Sequence, residues 1–244
     1  MTERPILFSD AMVRAILSGQ KTQTRRVVTA PVEFIGGSGD DRSDPDNWGF
    51  YAESSSFAGW VVLARNVHRL VGNNQDRASL ACPYGVPGDR LWVRETFASF
   101  QGSSVPVTPS AATYVVMRDG TQVYRSDSAI IPPAKEYADG AFDGIKWRPS
   151  IHMPRWACRL VLEVTDVHVE RLNDITEADA RAEGVTLLHG IGDDQTLPGE
   201  PRGRTFGTHP HACAFCVLWD SINGERAPWS SNPWVWVVSF RRAA

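Results

Sequence analysis

The stretch SDAMVRAILSGQKTQTRR, residues 9–26, decides how the start of the chain folds. Its apolar positions recur at helical spacing, with Ser9 or Asp10 as the N-cap and Gly19 as the stop. This pattern predicts a short amphipathic helix. The polar string of residues 19–26 follows directly and is the densest cluster of lysine, threonine and arginine in the chain.

Lys21 is the residue in this string with the clearest chemical potential. Like charge from Arg25 and Arg26 disfavours its ammonium form and lowers its pKa toward the range of a general base. A hydroxyl such as that of Thr24 becomes a nucleophile only beside a base. In an ideal strand Lys21 and Thr24 point to opposite faces, so their pairing requires a turn or bulge. Spacing alone favours a solvated basic turn.

Composition narrows the class of protein. The chain has 244 residues, 42% of them hydrophobic, and a net charge of −3, which excludes wholesale disorder and fibrous repeats. It carries 22 arginines and three lysines, and its slight acidity argues against non-specific coating of nucleic acid. No apolar run approaches the ~20 residues of a membrane span. Four cysteines do not make a disulfide framework, so we expect a reducing cytoplasm.

Strand patterns outnumber helix patterns and alternate with them irregularly. This favours an α+β fold with a small closed or half-closed sheet and peripheral helices over a doubly wound parallel sheet. After the first helix the main predicted elements are strands at 89–95, 159–169 and 234–240, and helices at 176–183 and 212–223. On the last helix, Phe215, Leu218, Trp219 and Ile222 share the predicted apolar face.

Several motifs together resemble one known family. Gly19-x-Lys21-x-x-x-x-Arg26 after a short helix, then Gly88-Asp89-x-Leu91-x-Val93 and the later elements in the same order, are similar to the ASCH domain of the PUA-like superfamily, in a longer group from bacteria and their viruses. The resemblance implies one domain over 1–244, a small mixed β-barrel with peripheral helices. The core would cover about 5–30, 85–98, 155–188 and 212–242, with insertions at about 31–84, 99–154 and 189–211.

Within this superfamily the small acetylcytidine amidohydrolases look closest in motif. Their catalytic lysine and threonine match Lys21 and Thr24, and the string Thr-Glu-x-x-Ala-x-x-Glu places their catalytic glutamate on Glu183. The resemblance implies removal of an acyl group from the exocyclic amine of a cytidine-type nucleoside, without cofactor. Lys21 would be the base, Thr24 the nucleophile and Glu183 the proton donor. From the residues alone, a carboxylate in a last helical turn favours protonation, although an exposed surface glutamate is the commoner case.

Aromatic and basic residues alternate in two further segments and could bind a base or a strand. Stacking on aromatic planes with arginine nearby is how single strands and free bases are recognised. The alternative is that Trp147 and Trp156 pack in a core, as we expect of Trp234 and Trp236. The candidate substrate-binding residues are Arg26, Trp92, Arg94, Trp147, Arg148 and Trp156.

The segment HPHACAFC, residues 209–216, holds four potential zinc ligands. Structural zinc usually takes ligand pairs separated by a longer stretch, and cysteines at the start of an amphipathic helix are routinely buried apolar residues. We therefore expect no metal site, with His209, His211, Cys213 and Cys216 as weak candidates.

Three functions stay open at this point. The first is the hydrolase. The second is a non-catalytic module that binds RNA or a modified base through the same cleft. The third is a phage-associated accessory protein with a protein partner and no small-molecule site. We expect a cytoplasmic protein whose partner is a nucleoside or modified base, or single-stranded RNA or DNA, and which does not bind membranes.

Overall fold

The fold is taken from a computed structural model that describes residues 1–29, 48–52, 60–64, 77–80, 82–99, 122–124, 127, 135–136, 142–143, 147–187 and 203–243. Its helices are α1 (Asp10–Leu17), α2 (Glu177–Ala182) and α3 (Pro210–Asn223). Its strands are β1 (Glu3–Leu7), β2 (Gln23–Val27), β3 (Trp48–Ala52), β4 (Trp60–Ala64), β5 (Arg77–Leu80), β6 (Arg90–Arg94), β7 (Phe97–Ser99), β8 (Gln122–Tyr124), β9 (Lys135–Glu136), β10 (Phe142–Asp143), β11 (Val161–Arg171) and β12 (Trp234–Arg242).

The chain divides into two compact units. The first unit comprises Met1–Thr2, Gln20–Asp89 and Glu163–Arg241, and the second comprises Glu3–Gly19, Arg90–Leu162 and Arg242–Ala244. Much of the three predicted insertions lies outside the described residues. The prediction of one continuous domain therefore stays a prediction.

The first unit holds α2, α3 and strands from three parts of the chain. β12 lies between β11 and β2, and it pairs with β2 in antiparallel register, Trp236 opposite Arg26 and Val238 opposite Thr24. β3, β4 and β5 form a separate antiparallel sheet. Both helices pack on a buried core that includes Leu172, Phe215, Trp219, Trp229 and Val237.

In the second unit β1 runs parallel to β6, with Pro5 opposite Trp92, and β7 pairs antiparallel with β8. α1 begins at its N-cap Ser9, whose side chain accepts a hydrogen bond from the Met12 amide, and the chain leaves it through Gly19 at φ +79°. The predicted helix is thus confirmed. Parallel and antiparallel pairs together with three helices confirm the α+β class for the described residues.

Four details differ from the expectation. β11 begins two residues later than predicted, and α3 begins at Pro210 because proline fits the first helical position. Ile222 is 54% exposed, since the core ends one turn earlier at Trp219, where Trp229 closes it. Trp234 is half-buried rather than core, because its ring stacks 4.4 Å from the guanidinium of Arg171. Trp236 is buried as predicted.

No helix in the described part of the chain is long and apolar enough to cross a membrane.

Candidate functional site

Lys21 and Glu183 meet in the first unit, although 162 residues separate them in the chain. Lys21 lies just before β2 and forms an antiparallel bridge with Glu183, the residue that ends α2. The neighbouring Thr22 amide donates a hydrogen bond to the Ala182 carbonyl at 2.8 Å. α2 is short, and a capping box formed by Thr176 and Asp179 fixes its start.

The Lys21 amine donates two hydrogen bonds, both to Glu183. Its Nζ donates to Glu183 Oε2 at 2.6 Å and to the Glu183 carbonyl oxygen at 2.8 Å. The two side chains are 1% and 4% exposed, so the pair is shielded from water. A buried ion pair of this geometry is charge-assisted and strong once formed.

Arg25 extends the pair into a network. Its guanidinium lies 3.3 Å from Glu183 Oε1 and 2.6 Å from Glu170 Oε1, and it donates to Gln23 Oε1 at 2.7 Å. Asp179 Oδ2 is 3.8 Å away. The planar fork of arginine suits such multiple bonding, and the Arg25 side chain is fully buried.

The network shifts the ionisation of its members. Burial lowers the pKa of Lys21, the charges of Arg25 and Arg26 act in the same direction, and Glu183 opposes them. The predicted direction is confirmed, although burial rather than like charge is the main cause. Burial would raise the pKa of Glu170, but hydrogen bonding to His168 and the charge of Arg25 outweigh it, and the pKa is lowered.

Thr24 is buried but does not join the pair. Arg25 bonds Gln23 on one face of β2, and Glu183 links Lys21 to that same face. Side chains alternate along a strand, so Thr24 lies on the opposite face. None of the hydrogen bonds among the described residues links its hydroxyl to Lys21 or Glu183. Its role as nucleophile stays a prediction.

A cavity of about 550 Å³ lies beside the pair. Neither Lys21 nor Glu183 lines it, but their chain neighbours Gln20 and Gly184 do. The lining residues are Gln20, Arg181, Gly184, Val185, Thr186, Leu187 and His211.

No family model, no curated protein and no solved structure matches this chain. The ASCH resemblance therefore rests on the sequence motifs.

The predicted substrate-binding residues are divided between the units. Arg26 lies on β2 in the first unit, and the other five lie in the second. There Arg94 stacks 5.3 Å from the Trp92 ring and donates to the carbonyls of Met153 and Ile151. Arg148 is exposed and Trp147 half-buried. The alternative prediction that Trp156 packs in a core is wrong, because its side chain is 71% exposed.

The four potential zinc ligands of residues 209–216 do not converge on one point. Cys213 and Cys216 are buried in the first unit, Cys216 as part of its apolar core. His211 Nδ1 instead bonds Glu177 Oε1 at 2.6 Å. In the portion of the chain that the structure describes, no three His, Cys, Asp or Glu side chains cluster so as to hold a metal ion.

Sequence reasoning missed the partners of the pair. The sequence indicates Arg25 only as a source of charge, and it gives Gln23, Glu170 and Asp179 no role in a site. The alternation of Gln23 and Arg25 in one strand was the available signal, because it places both side chains on the face of Lys21. Glu170 and Glu177 carried no local pattern that pointed to a site.

Proposed function

We propose that this chain is a PUA-like ASCH domain, with strands arranged as a small mixed barrel, that hydrolyses the N-acyl group of cytidine-type nucleosides. The contact between Lys21 Nζ and Glu183 Oε2 at 2.6 Å supports this proposal most directly. It unites a lysine whose pKa is lowered by burial with the carboxylate that the motif resemblance assigns as proton donor. Perturbed, paired titratable groups are frequent at reactive sites.

The proposed chemistry uses the pair as a proton relay. Lys21, as a neutral amine, accepts the proton of the attacking hydroxyl as its oxygen bonds to the acyl carbon. The proton passes to Glu183 and from there to the exocyclic nitrogen as the carbon–nitrogen bond breaks. Cytidine leaves, and water then releases the acid from the acyl-enzyme. The hydroxyl is that of Thr24, which must reach the face of β2 that carries Lys21.

Access is the second requirement of this proposal. Lys21, Thr24 and Glu183 are 2%, 3% and 4% exposed, and the cavity ends at Gln20 and Gly184. The proposal therefore requires that a substrate in the cavity gain access to this buried pair.

The same burial favours a second candidate, a non-catalytic module that binds a modified base. In that case the Lys21–Glu183–Arg25 network is structural, and the neighbouring cavity alone contacts the ligand. This candidate predicts binding of acetylcytidine without turnover.

The test is release of cytidine from N4-acetylcytidine and longer acyl analogues, followed by chromatography. We expect turnover by the wild type, loss of more than about a hundredfold in Thr24→Val and Lys21→Arg, and retained activity in Thr24→Ser. Arginine keeps the charge of Lys21 but cannot serve as a base.

Thr22→Val is the matched control, because Thr22 is exposed and its backbone makes the hydrogen bonds to α2 and β12. Circular dichroism shows whether each variant is folded. Activity of Thr24→Val equal to that of Thr22→Val would contradict the nucleophile assignment. Absence of turnover by the wild type with every acyl group, together with binding, would favour the second candidate.

A further inference from the structure

The cavity beside the Lys21–Glu183 pair is lined by both apolar and polar side chains. Val185 and Leu187 supply apolar surface, while Gln20, Thr186, Arg181 and His211 supply polar groups. Its volume of about 550 Å³ lies within the usual range of small-molecule sites. Such a site fits a ligand with one weakly polar part and one charged part.

Arg181 is the cation of this cavity. It lies in the last turn of α2 and is exposed, and no ion pair or hydrogen bond of its guanidinium occurs among the described residues. The nearby acids of the network are already engaged, since Asp179 bonds Thr176 and Glu183 bonds Lys21 and Arg25. The guanidinium is therefore available to an anion from outside.

His211 is oriented by Glu177. Glu177 Oε1 accepts a hydrogen bond from the His211 amide at 2.9 Å and is also hydrogen-bonded to His211 Nδ1 at 2.6 Å. Glu177 Oε2 accepts a hydrogen bond from the Ala212 amide at 3.0 Å. Both carboxylate oxygens are thus occupied. With Nδ1 directed at Glu177, Nε2 is the ring nitrogen left for a ligand in the cavity.

We propose that this cavity binds the phosphate of a nucleoside 5′-monophosphate through Arg181 and His211. This inference rests on the proposed function for the identity of the base, and it makes the acylated nucleotide a better substrate than the free nucleoside. A phosphate monoester offers acceptor oxygens that suit the bidentate fork of Arg181. Its P–OH group can donate to His211 Nε2, which is an acceptor when Nδ1–H donates to Glu177.

The test compares the binding of cytidine 5′-monophosphate, cytidine and inorganic phosphate to the full chain by calorimetry. We expect the monophosphate to bind at least about tenfold more tightly than cytidine, as a charge-assisted contact provides. Arg181→Ala removes this preference and leaves cytidine binding unchanged. Arg226→Ala is the matched control, because Arg226 is exposed and does not line the cavity.

Two further variants test the roles of the two ring nitrogens of His211 one at a time. In His211→Asn the side-chain amide can still bond Glu177 but has no group at the Nε2 position, whereas His211→Gln places an amide, which can donate or accept, near that position. We expect weaker monophosphate binding in His211→Asn and partial recovery in His211→Gln.

Equal affinity for monophosphate and cytidine, or equal loss in Arg181→Ala and Arg226→Ala, would overturn the inference. The outcome is separable from that of the hydrolase. Turnover of acetylcytidine without preference for the monophosphate refutes only the phosphate site, and phosphate-dependent binding without turnover of either acylated form refutes only the hydrolase.

Discussion

A lysine that is 2% exposed must be paired or neutral, and Lys21 is arranged for both states. In the ion pair Glu183 compensates its charge. When the proton moves to Oε2 along the hydrogen bond, whose Nζ···Oε2 distance is 2.6 Å, both groups become neutral while the hydrogen bond remains. Arg25 then keeps Glu183 in place. At the scale of single residues the site is therefore a buried position where a proton can transfer without leaving an isolated charge.

This arrangement predicts unequal costs for the two halves of the pair. Glu183→Gln leaves the Lys21 amine buried without a carboxylate and should lower the free energy of unfolding by about 3 kcal/mol. Lys21→Met leaves Glu183 paired with Arg25 and should cost about 1–2 kcal/mol. The double variant should lose less than the sum of the two, because the partners interact directly. Denaturant unfolding measures all three.

Raising the pH provides the control on this prediction. In Glu183→Gln the groups that oppose the lowering of the Lys21 pKa are gone, so the folded pKa falls further below its unfolded value of 10.5. The folded state then binds fewer protons, and as the pH rises toward the unfolded pKa of 10.5, stability should rise more steeply than in the wild type. Identical pH profiles would contradict the assignment of Lys21 as the group left unpaired.

At the scale of elements, the unusual feature is that one helix caps another. His209, at the N-cap of α3, makes no side-chain capping bond. The Glu177 carboxylate of α2 accepts from the first free amides instead and lies at the positive end of the α3 dipole. Burial would raise the pKa of Glu177, but these hydrogen bonds lower it. The contacts of Glu177 with these amides fix α2 and α3 against each other, and both helices contribute residues to the lining of the cavity.

Glu177→Ala should therefore destabilise the chain by about 2 kcal/mol, the range of a lost charged cap. Glu177→Gln keeps an acceptor for the amides and should lose roughly half as much. Glu225→Ala, an exposed glutamate, is the matched control. Thermal unfolding distinguishes them, and equal losses in Glu177→Ala and Glu225→Ala would show that the cap contributes nothing.

Local signals explain which elements the sequence could predict. α1, α2 and β6 each follow from residues within one segment: Ser9 as a cap, Thr176 with Asp179 as a capping box, and Leu91 alternating with Trp92. The contact of Lys21 with Glu183 joins distant segments, so only the family resemblance placed both in one site. Periodicity cannot show where a core ends, and Ile222 and Trp234 were misplaced for this reason.

At the scale of the whole molecule, arginine carries the buried positive charge in this slightly acidic chain. Besides Arg25, Arg204 is 7% exposed and bonds the carbonyls of Ile175 and Asn173, and in the second unit Arg159 holds the fully buried Glu95. Each guanidinium satisfies several acceptors, which one ammonium group does less well. The abundance of arginine thus has a structural use in both units.

The same pairing makes the chain sensitive to acid. The pKa values of Glu170, Glu177 and Asp179 all lie below their ordinary values of 4.5, 4.5 and 3.8. Burial alone would raise each of these pKa values, but hydrogen bonds to the carboxylates act in the opposite direction. For Glu170 and Asp179 the charge of Arg25 also lowers the pKa, and the net shift of all three is downward. The unfolded chain then binds more protons, so stability is fully present above these ordinary values and is lost as the pH falls through the folded ones.

We therefore expect the melting temperature to be steady above about pH 5 and to fall steeply toward about pH 3. Glu170→Gln should lower the plateau, because Arg25 loses its closest partner, and should make the acid decline shallower, because one proton-binding group is removed. Glu225→Gln removes an exposed carboxylate and reports the effect of net charge alone. Melting curves at constant ionic strength test this directly. A midpoint that stays constant to about pH 3 would mean that these ion pairs contribute no net stability, as many surface pairs do not.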